Sequence, residues 1–168
     1  MIYMTVKKYV LWIEDDAAYN LQRLAIPVVM HRDYDLTLAV TISEAIHFLQ
    51  RQTYEVIVVD LRMPPGKEHS WIDLDQKLAR SGQPPRLGLH LLLNLFKQPQ
   101  RGYEIDLPSN ILYHNIHRFG ILSVDPARAV CDELERINFE PEGSCYKQKT
   151  AGMPSNTLLE LIQNIHRE

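Results

Sequence analysis

Cysteine is nearly absent: the 168 residues hold two, Cys131 and Cys145, and they form no CxxC pair. That leaves no disulfide framework and no cysteine-based zinc motif, and reduced thiols in a cytoplasmic chain are the expectation. Long hydrophobic runs are missing too. No stretch approaches the roughly 20 apolar residues that span a bilayer. The opening "MIYMTVKKYV" lacks a signal-peptide core with a small-residue cleavage site, so no membrane partner is expected. There is no excess of one charge. Eighteen Lys and Arg against 21 Asp and Glu leave a net charge of −3, which gives no electrostatic footing for nucleic acid. No GxGxxG follows the first apolar run, which excludes a dinucleotide-binding turn. Repeats, low-complexity tracts and interdomain linkers are likewise absent. What remains is an ordinary composition, 45% hydrophobic and 23% charged, suited to one domain over 1–168.

The first half alternates strands and helices. "YVLWI" (9–13) stops abruptly at "EDD" (14–16). The next segment carries Leu21, Leu24, Ala25 and Val28 at helical spacing, with Pro27 expected to kink or shorten the helix. "DLTLAV" (35–40) is a second strand and "SEAIHFLQRQ" (43–52) a second helix, with Ser43 as its expected N-cap. "EVIVVD" (55–60) is a third strand, apolar throughout, as strands buried on both faces of a parallel sheet are. This order argues an open α/β sheet with right-handed crossovers. Farther on, a Ser-x-x-Asp start and a glycine stop mark an extra helix over 70–82. An apolar helix (87–98), a strand (118–124), a helix (126–137), a short strand (145–149) and a closing amphipathic helix (155–167) follow.

Ligands of such sheets bind at the carboxyl ends of the strands. Those ends carry Glu14 and Asp15, Asp60, Ser123 and Lys149. Three converging acids repel one another unless a cation lies among them. A hard divalent ion such as Mg²⁺, or Mn²⁺, favours carboxylate and carbonyl oxygens. A lysine supplies a point charge for a phosphoryl oxygen, and the Ser123 hydroxyl can donate to another. The prolines of "VVDLRMPPG" end the third strand at the site's edge.

With these residues in place the sequence resembles the receiver domains of two-component response regulators. The resemblance rests on "VLWIEDD", "VIVVDLRMPPG", "ILSV", "CYKQK" and the last helix. It implies a three-layer α/β/α fold, flavodoxin-like, with a five-stranded parallel sheet in the order 2-1-3-4-5. Asp60 would be the phospho-acceptor, taking a phosphoryl group from the phosphohistidine of a sensor kinase or phosphotransfer protein. Glu14 and Asp15 would be the acidic pair, Asp15 touching the Mg²⁺ directly. The Arg62 carbonyl would be a further metal ligand. Ser123 would be the switch hydroxyl, Lys149 the site lysine and Tyr146 the switch aromatic. Such a protein signals rather than turns over substrate, at most catalysing its own phosphorylation and dephosphorylation, and its output is a changed contact with a downstream protein or a second copy of itself.

The sequence also departs from that pattern. Thr150 stands where the family usually has proline, and Lys147 competes with Lys149 for the lysine position, although only Lys149 keeps Tyr146 at the family's offset. The chain also exceeds a typical receiver of about 120 residues. The excess falls in two insertions, approximately 67–86 after the third strand and 99–117 before the fourth. Long insertions are usually functional or disordered. Trp71, Ile72 and Leu74 in the first are expected to anchor a partner. The loop "PPGKEH" is expected to be solvated, with a mobile lid as its alternative. His69, His114 and His117 complete no zinc spacing. A degenerate receiver, working through protein contact without phosphorylation, is the rival reading. An aspartyl phosphatase is disfavoured because Arg62 stands where its second acid belongs.

Overall fold

The computed structural model describes residues 5–111 and 115–167, so His114 lies outside the described residues. Five parallel strands form one sheet in the order β2-β1-β3-β4-β5, the order 2-1-3-4-5 of the flavodoxin-like folds. The strands are β1 (Lys8–Ile13), β2 (Tyr34–Ala39), β3 (Val56–Val59), β4 (Phe119–Ser123) and β5 (Tyr146–Gln148). β3 is the middle strand, and all four of its residues are buried. It is apolar throughout because helices cover both of its faces.

The helices are α1 (Gln22–Met30), α2 (Ile42–Arg51), α3 (His69–Arg80), α4 (Leu87–Leu95), α5 (Cys131–Arg136) and α6 (Thr157–Arg167). α1 packs beside α6, and α2 beside α4. Right-handed crossovers put these pairs on opposite faces. Pro27 lies within α1, which is short at nine residues. α5 begins at Cys131, later than the expected 126, because a 3₁₀ turn over Ala127–Ala129 precedes it.

The cap of α2 differs from the sequence expectation. Thr41, not Ser43, is the N-cap, and its Oγ1 accepts from the Glu44 N–H at 3.1 Å. Ser43 fastens the loop that follows the third strand. Its Oγ donates to the Pro65 carbonyl at 2.9 Å and accepts from the N–H groups of Lys67 and Glu68. The carbonyls of Pro64 and Pro65 in turn accept from the N–H groups of Ile42 and Ser43 at 3.0 and 3.1 Å. Such N-terminal amides have no partner inside a helix, so the proline loop satisfies α2 while α2 anchors the loop. Gly66 makes the turn at φ +87°, and a Cβ there would meet Ser43 Oγ at 2.6 Å. The segment is thus fastened to the head of α2 through residues 64–68.

The first insertion corrects a second expectation. α3 is largely core. Trp71 is fully buried, Leu74 and Leu78 nearly so, and all three join the hydrophobic cluster of the sheet. Ile72 alone of the expected partner anchors is partly exposed. Residue identity and helical spacing cannot separate an inward-facing tryptophan from an outward-facing one, and here the stripe faces the chain's own core. The second insertion packs on the first: Lys77 donates to the Gly102 carbonyl, and Ser81 Oγ lies 3.1 Å from the Tyr103 hydroxyl.

Trp71→Ala is therefore expected to lower stability by about 3–5 kcal/mol, the usual cost of truncating a buried aromatic. Urea unfolding followed by circular dichroism measures it. A change below about 1 kcal/mol, the range of a surface substitution, would return α3 to the surface.

Candidate functional site

The register brings the acids together. Ile13 pairs with Val59 across β1 and β3, and the Asp60 N–H donates to the Ile13 carbonyl at 2.9 Å. Glu14 and Asp60 thus leave adjacent strand ends side by side. Val59 pairs with Ile121 and Ser123 with Gln148, which brings the ends of β4 and β5 alongside. The Lys149 N–H donates to the Ser123 carbonyl at 2.7 Å. A cleft of about 440 Å³ opens there, lined by Glu14, Asp15, Asp60, Arg62 and Lys149 among others.

Glu14, Asp15 and Asp60 each offer a carboxylate oxygen, all within 4.8 Å of one another. Glu14 and Asp60 are buried and Asp15 is exposed. The Lys149 ammonium bridges the buried two, pairing with Glu14 and donating to Asp60 Oδ2 at 2.8 Å. Lys147 is exposed, so the geometry distinguishes the two lysines. Burial, reinforced by Asp60, pushes the Glu14 carboxyl up to about 8 against the pull of Lys149. Burial also works against the charge of Lys149, but Asp60 and Glu14 outweigh it and hold the ammonium above its ordinary value. One lysine does not fully relieve the crowding of three acids. The donors are hard oxygens with one exposed member, a set that fits Mg²⁺ or Mn²⁺.

Ser123 is wholly buried, and its Oγ has no hydrogen-bond partner among the described residues. An orphaned buried hydroxyl is costly, and this one ends the strand beside the site. Tyr146 is buried at the start of β5, and its hydroxyl donates to the Asp125 carbonyl at 2.7 Å. Burial, with Asp125 nearby, raises its phenol well above the ordinary range. Asp125 accepts from Arg62 and Arg86. Burial opposes its charge, but those two hydrogen bonds hold its carboxyl below the ordinary value.

The sequence reading passed over Asp125, Arg86 and the role of Gly88. Asp125 had one signal, an acid two residues beyond the strand-end serine. Arg86 had none, since its partner lies far along the chain. Gly88 is the second residue of α4, and a Cβ there would sit 2.0 Å from the Asp60 carbonyl oxygen. Its N–H donates to the Leu61 carbonyl at 2.9 Å. The head of α4 thus rests directly on the backbone that carries Asp60.

Two other groupings lack these features. Cys131, Asp132 and Glu135 could also approach a metal, but they are local to α5, and the hydrogen bond to Glu135 raises the Cys131 thiol. A cleft of about 420 Å³ at the other end of β4, lined by Ile116, Phe119, Phe139 and Cys145, brings in a single carboxylate among the described residues, Glu140.

Gly88→Ala is expected to displace Asp60 or α4, because the obstructing atom is backbone and cannot rotate aside. Chemical shifts of the residue 60–62 amides should move and stability should fall by more than about 1 kcal/mol, above the usual helix-interior preference of Ala over Gly. Unchanged shifts with a gain in stability would contradict the close approach.

No family model and no curated sequence matches the chain. Solved structures do. The receiver domain of Francisella response regulator 1452 aligns with a TM-score of 0.57 at 20% identity, over 96% of this chain and 98% of that one. A Burkholderia pseudomallei response regulator protein, solved with a phosphorylated aspartic acid, a calcium ion and citrate, aligns at 0.53 and 17% identity, over 96% of this chain and 69% of that one. A CheY-like receiver domain protein from Methanospirillum hungatei JF-1 aligns at 0.51 and 14% identity, over 95% and 93%. Strand order, helix placement and near-complete coverage agree: this chain has the fold of the response regulator receiver domains.

Proposed function

We propose that the chain is a two-component receiver whose Asp60 accepts a phosphoryl group. The observation that carries this reading is Lys149 held between Glu14 and Asp60 at the sheet's carboxyl edge, with Asp15 within ligand distance of both acids. Asp60, ionised, attacks the phosphorus of a partner's phosphohistidine. An O–P bond forms as the N–P bond breaks, and the imidazole leaves with the electron pair. Lys149 turns its charge to a phosphoryl oxygen, and the Ser123 hydroxyl donates to another. Asp15, Asp60 and the Arg62 carbonyl would hold Mg²⁺ or Mn²⁺, with Glu14 behind them. That ion would neutralise charge on the transferring group. Ser123 and Tyr146 then shift the surface around β4 and β5 toward a form that binds a downstream protein differently. No helix is long and apolar enough to cross a membrane among the described residues.

Intact-mass analysis after acetyl phosphate and Mg²⁺ tests the reading. The wild type should gain one phosphoryl group and Asp60→Asn none, because asparagine keeps the shape without the nucleophile. A wild type that never labels with any donor would favour a degenerate receiver that acts by contact alone.

Metal binding gives an independent expectation. With Mn²⁺ as a paramagnetic probe, Asp15→Asn should weaken binding more than Glu14→Gln, since the exposed Asp15 is assigned the direct contact. Equal losses in water-proton relaxation titrations would contradict that division.

A further inference from the structure

Two guanidinium groups converge on Asp125, which is 3% exposed and lies two residues beyond Ser123. Arg62 donates from Nε to Oδ2 at 2.9 Å and from Nη2 to Oδ1 at 2.8 Å. Arg86 donates from Nη2 to Oδ1 at 3.0 Å. One buried anion has two cations where one would neutralise it.

The two arginines differ in freedom. The Arg86 side chain is 16% exposed, and its residue closes the inserted segment at the head of α4. The Arg62 side chain is 44% exposed. It lines the cleft with Asp60 and Lys149, and its own N–H donates to Asp60 Oδ1 at 3.2 Å. Removing the sole partner of a buried charge is strongly destabilising. Withdrawing Arg62 does not do that, because Arg86 stays.

A phosphoryl group on Asp60 brings close to two negative charges and three acceptor oxygens into the cleft that Arg62 lines. A guanidinium fork matches such a group well. We propose, resting on the phospho-acceptor reading above, that Arg62 is a latch shared between Asp125 in the resting protein and the phosphoryl group on Asp60, with Arg86 as the fixed counter-ion. The Asp125 carbonyl also receives the Tyr146 hydroxyl. Release of Arg62 therefore loosens the segment that holds Tyr146 inward. The inserted segment, through Arg86, sets how readily that happens.

A double-mutant cycle on the full chain tests the latch, with phosphoryl uptake from acetyl phosphate and Mg²⁺ followed by intact mass. Asp125→Asn frees Arg62 for the incoming anion and should speed uptake about tenfold, equivalent to about 1.4 kcal/mol of barrier. In an Arg62→Gln background the same change should have no effect. An Asp125→Asn effect of equal size with or without Arg62 would reveal a merely structural role and overturn the latch. Uptake unchanged or slower in Asp125→Asn would do the same. Should that variant fail to fold, Arg62→Gln alone removes the guanidinium that would receive the phosphoryl group, and its uptake should fall; an unchanged or faster rate overturns the proposal. A wild type that takes up no phosphoryl group overturns the underlying reading along with the latch. That result is distinct from a labelled wild type whose cycle is additive.

Discussion

Two buried carboxylates, Glu14 and Asp60, share the ammonium of Lys149, and the architecture around them is arranged to hold that group together. The acids come from adjacent strands and the lysine from beyond the sheet's far edge strand. Nothing local in the chain makes them neighbours; parallel pairing does, by ending three strands at one level. The crowding has a chemical consequence. Burial and the charge of Asp60 push Glu14 up to about 8, so the group gains from any further cation. Placed in the core, such a cluster would be a defect. Here it lies at an open cleft with Asp15 exposed beside it, where a cation from solvent could relieve the repulsion.

The inserted segments follow the same constraint. α3 drives Trp71, Leu74 and Leu78 into the common core, which fixes where the segment ends. It ends at Arg86, and Gly88 follows two residues later in α4. The first reaches Asp125 and the second lets α4 rest on the Asp60 backbone. The inserted segment thus returns to the core beside the end of β3, with one residue on Asp125 and the next turn against the Asp60 backbone. The loop before it is held just as firmly, by Ser43 and by the proline carbonyls that satisfy α2.

Much of this was legible in the sequence. The five strands, their order and the meeting of Glu14, Asp15, Asp60 and Lys149 followed from apolar runs that stop at polar residues, together with the receiver resemblance; the Ser123 side chain lies buried and outside the cleft lining. Those signals are local or have a fixed period. What escaped depends on distant partners. Trp71 could face a partner or the core with the same helical spacing, and only packing decides. Thr41 and Ser43 are both good capping residues, and Ser43 was diverted by a loop that sequence cannot place. Asp125 and Arg86 are separated by a helix and the whole second insertion, so no spacing rule joins them.

The charges at the sheet's edge fall into two coupled groups. Around Asp60, three carboxylates face one ammonium. That group carries more acid than its one ammonium can balance, and a divalent cation would relieve the excess. Around Asp125, two guanidiniums face one carboxylate, a surplus of one positive charge. Arg62 belongs to both by position, since its backbone touches Asp60 and its side chain touches Asp125. Each surplus is of the sign the other lacks. An anionic group arriving on Asp60 would enter a cleft that a guanidinium already lines. That spares the site the reorganisation that assembling a counter-charge from solvent would demand.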